Sequence, residues 1–87
     1  MTLQILSTPS DQTKELLKEA IEQAIAGAEV EVATGGGGHF ELRVKAAEFA
    51  GQSRVAQQRT VYAAISHLMK GETAPVHAID KMETLVP

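Results

Sequence analysis

The stretch from residue 39 to residue 80 constrains the fold most, because it predicts two strands joined by a helix. Alternating apolar and charged residues after His39 predict the first strand, and a helix is predicted over residues 53–69. Residues 76–82 predict the second strand, with His77 at its opening. A helical crossover of this length makes the two strands parallel, with a right-handed connection. Because parallel strands begin at the same end of a sheet, neighbouring strands would bring His39 and His77 close together.

A first helix is predicted upstream of this unit. Thr8 fits the N-cap, Pro9 the first helical position and Asp11 the acid of a capping box. Gly27 is expected to end the helix. Its predicted apolar face recurs at helical spacing: Leu16, Leu17, Ala20, Ile21, Ala24 and Ile25.

A β-hairpin is predicted between the two helices. Valines alternate with glutamates over residues 29–32, and the four glycines at 35–38 form a loop that leads into the strand after His39. Residues 45–49 suit a single helical turn, after which Ser53 is the predicted N-cap of the long helix. The apolar stripe of that helix is predicted from Val55, Val61, Tyr62, Ile65, Leu68 and Met69.

Composition limits the functions open to this chain. Its 87 residues predict one domain. The net charge of −3 and a pI near 5.5 weigh against a dedicated nucleic-acid binder, since such proteins gain affinity by neutralising phosphates. The absence of cysteine excludes disulfides and thiolate ligands from this chain. With no long apolar run and no signal-peptide pattern, a cytoplasmic location is expected.

The two histidines at the strand openings are candidate metal ligands. A neutral imidazole suits iron or zinc, but two imidazoles do not fill a coordination sphere, so further ligands would come from another molecule. The alternative is that each histidine only caps a strand end by hydrogen bonding. The third histidine, His67, is explained by its place near the end of the long helix.

Other candidate sites carry less chemistry. The glycines at 35–38 lack the Lys-Ser/Thr sequence and the following helix of a phosphate loop, which favours a hairpin tip. Arg54 and Arg59 could contact nucleic acid or an acidic surface, or could simply be a solvated helix face. Glu48, Ser53 and Tyr62 form no catalytic set, so no enzyme activity is predicted.

One set of residues, spread over much of the chain, forms a recognisable pattern: Phe49-Ala50-Gly51-Gln52-Ser53, Val55, Gln58-Arg59, Val61-Tyr62, Val76-His77-Ala78 and the hairpin end Gly38-His39-Phe40. This pattern resembles the BolA family. The resemblance runs from the first helix to the third strand, and the hairpin is similar to that of the short-loop branch, which includes acid-stress IbaG-type proteins and plastid relatives.

The resemblance implies a single BolA-like domain over residues 1–87, of the α+β class. Its element order would be α-β-β-α-α-β, with a three-stranded mixed sheet and helices on one face, similar to class II KH domains. It also implies a non-enzymatic adaptor in iron–sulfur cluster handling and stress response. Such proteins form heterodimers with monothiol glutaredoxins of the CGFS type, and a 2Fe–2S cluster can bridge the two.

In that heterodimer the glutaredoxin cysteine and a bound glutathione would supply thiolates. The resemblance implies that His77 supplies a nitrogen ligand, as histidines replace thiolates in some clusters. His39 is the candidate for the second ligand, because the glycine loop offers no other side chain. No cluster is expected on the isolated chain.

The alternative function is a nucleic-acid-binding transcriptional or stress regulator that uses the KH-like fold. Gly51, Ser53, Arg54 and Arg59 would then be the contacts to nucleic acid or a partner. The G-x-x-G loop of KH domains is incomplete here, because Gly51 is followed by Gln52-Ser53-Arg54. Nucleic-acid binding is therefore expected to be weak.

Overall fold

A computed structural model describes residues 8–87 as a mixed three-stranded sheet with helices on one face. The first strand, β1 (Glu29–Gly36), pairs antiparallel with β2 (His39–Lys45), which pairs parallel with β3 (Ala78–Leu85), so the strand order is β1-β2-β3. The predicted order of the strands along the chain is therefore also their order in the sheet. This confirms the predicted α+β class and the parallel pairing, while the second of the three expected helices is only a 3₁₀ turn. The elements are α1 (Pro9–Ala24), β1 (Glu29–Gly36), β2 (His39–Lys45), a 3₁₀ turn (Ala47–Phe49), α2 (Arg54–Ile65), a second 3₁₀ turn (Ser66–Leu68) and β3 (Ala78–Leu85).

Helix α1 begins at the predicted capping box. The Thr8 hydroxyl accepts from the Asp11 N–H at 3.0 Å, and the Asp11 carboxylate accepts from the Thr8 N–H at 3.4 Å. Leu17 and Ile21 are fully buried at a spacing of four residues. Leu16 was expected in this face but is 46% exposed, because it lies about 100° around the helix from Leu17.

The core lies between the helices and the inner face of the sheet. Phe40, Leu42 and Val44 alternate inward from β2, whereas the residues between them are exposed. Val61 and Ile65 of α2 are fully buried in the same cluster. The outward face of the sheet carries charged side chains, including an Arg43–Glu83 pair at 3.4 Å.

The predicted apolar stripe of the long helix is partly wrong. Val55 is 57% and Tyr62 is 41% exposed, because the buried ridge of α2 contains only residues in line with Val61 and Ile65. The α-helix also ends at Ile65, earlier than the predicted residue 69, and continues as the 3₁₀ turn Ser66–Leu68.

The side chain of Gln57 in α2 forms hydrogen bonds with the loop before the helix and with β3. Its side-chain N–H group donates to the carbonyls of Phe49 at 3.0 Å and Gln52 at 3.1 Å. Its side-chain oxygen accepts from the Thr84 hydroxyl at 2.6 Å. The glutamine therefore fixes the loop before α2, the helix itself and the end of β3 with one amide.

Strand β3 starts and ends later than predicted. It spans Ala78–Leu85, so His77 immediately precedes the strand and does not open it. The pairing with β2 shifts by one residue after Phe40, which leaves Asp80 as an extra residue on β3. This β-bulge explains the poor alternation of the sequence here, because the side chains before and after Asp80 follow different phases.

The hairpin turn is shorter than the predicted four-glycine loop. Strand β1 continues through Gly36, which pairs with His39, so only Gly37 and Gly38 remain in the turn. Their φ angles are +66° and +81°. Positive φ at both central positions is what a type I′ hairpin turn requires, and glycine adopts it without steric cost.

Candidate functional site

The turn residue Gly38 joins the backbones that carry the two predicted histidine ligands. Its carbonyl accepts the His77 N–H at 2.8 Å and the Ala78 N–H at 3.2 Å. His39 follows Gly38 directly and pairs with Ala78. Strands β2 and β3 are neighbours, so the condition for bringing the two histidines together is met, and both histidines lie exposed at one end of the sheet.

The His77 ring lies against the α-carbon of Gly38. A β-carbon at Gly38 would stand 2.8 Å from His77 Cγ and 2.9 Å from His77 Nδ1, which is closer than real contacts allow. Gly38 therefore has two reasons to be glycine, its positive φ and the ring above it. The His77 ring therefore packs against Gly38, although the side chain is exposed to solvent.

His39 is held in a different way, by a carboxylate that the sequence analysis did not single out. His39 Nδ1 lies 3.0 Å from Asp80 Oδ1 and 3.3 Å from Asp80 Oδ2. About half of each side chain is exposed, 50% for His39 and 53% for Asp80. The only sequence signal for this contact was the irregular alternation around Asp80, whose cause is the bulge.

This arrangement can supply nitrogen donors but not a complete metal site. Imidazole nitrogens suit iron, including iron in a cluster where histidines replace thiolates. Within residues 8–87, no group of three or more His, Cys, Asp or Glu side chains is placed to hold a metal ion. Two imidazoles alone would leave most of a metal ion's coordination positions unfilled.

The second set of predicted contacts lies elsewhere on the molecule. Ser53 caps α2, its hydroxyl accepting from the Ala56 N–H at 3.1 Å, and Gly51 lies in the exposed turn just before it. Arg54 borders a shallow hollow with the last residues of β3, at the opposite end of that strand from His77. Arg59 is exposed in the middle of α2. The structure thus places Arg54 away from the histidine pair.

These features define the class of protein. It is a small α+β fold with a single mixed sheet and a pair of imidazoles at one end of that sheet. No helix among the described residues is long and apolar enough to span a bilayer. The family model described as BolA-like protein matches residues 16–87. This chain therefore belongs to the BolA-like family, whereas the predicted short-loop branch stays a prediction.

Solved structures agree with this assignment. A bolA protein homologue from Coxiella burnetii has a TM-score of 0.69 and 30% identity, and the match covers 94% of each chain. The BolA domain of SufE1 from Arabidopsis thaliana gives a TM-score of 0.73 at 22% identity, covering 95% of this chain and 96% of that one. A bol-like protein from Babesia bovis gives 0.71 at 23% identity, covering 97% and 88%. The comparison with curated protein sequences gives no match.

Proposed function

We propose that this protein is a non-enzymatic adaptor that pairs with a monothiol glutaredoxin of the CGFS type. In this proposal His77 and His39 supply nitrogen ligands to a 2Fe–2S cluster that bridges the two proteins. The observation that carries it is the pair of exposed imidazoles at one end of the sheet, joined through the backbone of Gly38. Membership of the BolA-like family supports the same function.

The roles of the two histidines follow from how each is held. The His77 N–H is bonded to the Gly38 carbonyl, which fixes its backbone, and its ring lies against the same residue. His39 starts β2 directly after the turn and depends on a side-chain contact for its orientation. We therefore expect His77 to be the stronger determinant of cluster binding.

The test is anaerobic reconstitution with a CGFS glutaredoxin, glutathione, ferrous iron and sulfide. The products are followed by size exclusion and by visible absorption and circular dichroism. The wild-type mixture should give a coloured heterodimer, whereas the isolated chain should retain little iron because it lacks thiolates. A stable cluster on the isolated chain would contradict the proposal.

Three histidine variants sharpen this test. His77→Ala should abolish the mixed-cluster spectrum with the fold intact, and His39→Ala should weaken it or make the cluster labile. His67→Ala is the matched control, since it removes an exposed imidazole from the 3₁₀ turn after α2. If the spectrum survives His77→Ala unchanged, the ligand assignment is wrong and the chain meets glutaredoxin through its surface alone.

A further inference from the structure

We propose that Asp80 is the positioning residue for His39, and that it makes Nε2 the nitrogen available to a metal. This inference rests on the proposed function, in which His39 is a ligand, and it adds both the donor atom and the group that selects it. The carboxylate lies 3.0 Å from Nδ1 through one oxygen and 3.3 Å through the other.

An ionised carboxylate has no hydrogen to give, so a hydrogen bond between it and Nδ1 requires the proton to be on the ring nitrogen. In the neutral imidazole Nε2 then carries the free lone pair. Metal-bound histidines commonly donate their other ring N–H to a carboxylate, which fixes the tautomer and the ring orientation. The Asp80–His39 contact places a carboxylate at the same position relative to the ring.

A β-bulge in β3 falls at Asp80, the residue that makes this contact. His39 pairs with Ala78 and Phe40 with Ile79, so an unbroken ladder would place Asp80 opposite Glu41. Two carboxylates facing each other on neighbouring strands repel. With the bulge, Lys81 pairs with Glu41 instead. Asp80 then has no residue of β2 directly opposite it, and its carboxylate accepts a hydrogen bond from His39.

The contact is suited to orientation more than to stability. Both side chains are about half exposed, and contacts between polar groups at such exposed sites add little to stability. Loss of Asp80 should therefore leave the fold nearly as stable as before. Its effect should appear in the tautomer of His39 and in how long the cluster is retained.

The experiment compares Asp80→Ala and Asp80→Asn with Glu83→Ala. Glu83 is the matched control because it is an exposed acid of the same strand whose ion pair, with Arg43 at 3.4 Å, involves no histidine. Imidazole ¹⁵N chemical shifts of the free protein above neutral pH report the tautomer. Nδ1–H should dominate at His39 in the wild type and in Glu83→Ala, and should give way to Nε2–H in Asp80→Ala.

Cluster retention in the glutaredoxin mixture is the second readout. Under a chelator, Asp80→Ala should lose the cluster about 10- to 100-fold faster than wild type, the usual effect of removing such a partner. Asp80→Asn should recover part of the loss, since its amide oxygen can still accept from Nδ1–H. Glu83→Ala should behave as wild type.

An unchanged His39 tautomer in Asp80→Ala would overturn the assignment, and so would an altered tautomer with unaltered cluster retention. A wild-type mixture that forms no cluster would defeat the proposed function alone. The tautomer measurement on the free chain would then still decide whether Asp80 positions His39.

Discussion

Replacement of Gly38 by alanine should disturb His77 far more than it disturbs the fold. The left-handed region costs an L-residue roughly 1–2 kcal/mol, and Gly38 has a φ of +81°. The new methyl group would also meet the His77 ring at 2.8 Å. Because that ring is exposed, it can rotate away at a further cost of about 0.5–1.5 kcal/mol. The sum of the two costs, about 1.5–3.5 kcal/mol, should leave the domain folded, with the His77 ring displaced from Gly38.

Two other glycines of the same hairpin separate the backbone cost from the contact. Gly36 and Gly37 have φ angles of +88° and +66°, which bracket that of Gly38, and an added β-carbon meets nothing within 4 Å at either one. Their alanine variants should lose about 1–2 kcal/mol from backbone strain alone. Urea unfolding would measure these losses.

The decisive measurement is the position of the His77 ring. Ring ¹H and ¹³C resonances should move in Gly38→Ala and stay near wild-type values in the other two variants, and only Gly38→Ala should impair the mixed cluster. If all three variants shift the His77 resonances alike, or if none does, the ring is not seated on Gly38 and the reasoning fails.

Two further predictions concern stability and nucleic acid. Gln57→Ala removes the donor for two backbone carbonyls and the acceptor for a hydroxyl, so it should cost about 2–3 kcal/mol in urea unfolding. Gln58→Ala breaks only one 3.4 Å hydrogen bond and should cost under about 1 kcal/mol; equal losses would refute the role given to Gln57. With a net charge of −3, affinity for generic DNA or RNA in fluorescence anisotropy should be weak at physiological salt. Sub-micromolar binding that disappears on changing Arg54 and Arg59 to Glu would instead promote the nucleic-acid function.

Local signals in the sequence predicted most of the fold. The capping box at Thr8, the N-cap at Ser53 and the strand alternation after His39 each depend on neighbours within a few residues, and the structure confirms all three. The parallel pairing of β2 and β3 followed from the helix between them, because a crossover leaves few alternatives. These features need no knowledge of which side chains meet across the molecule.

The features that the sequence did not predict depend on contacts between segments that are far apart along the chain. The start of β3 at Ala78 and the bulge at Asp80 are set by which residues of β2 lie opposite, and the sequence of β3 alone does not contain that information. Val55 and Tyr62 are exposed for a similar reason. Which side of α2 is buried depends on the positions of the sheet and of α1, and the sequence of α2 alone does not specify them. Asp80 escaped notice because its partner lies 41 residues away.

The two histidines illustrate two ways to hold a ligand at the surface of a small domain. His77 is fixed by backbone, through its N–H to Gly38 and the space that a missing side chain leaves for its ring. His39 is held by the side chain of Asp80, which lies at a bulge in the neighbouring strand. Changes at Gly38 and at Asp80 should therefore act mainly on different histidines, although both residues lie at one end of the sheet. If the proposed cluster forms, nitrogens that are oriented before the partner arrives would avoid an ordering cost that reduces affinity.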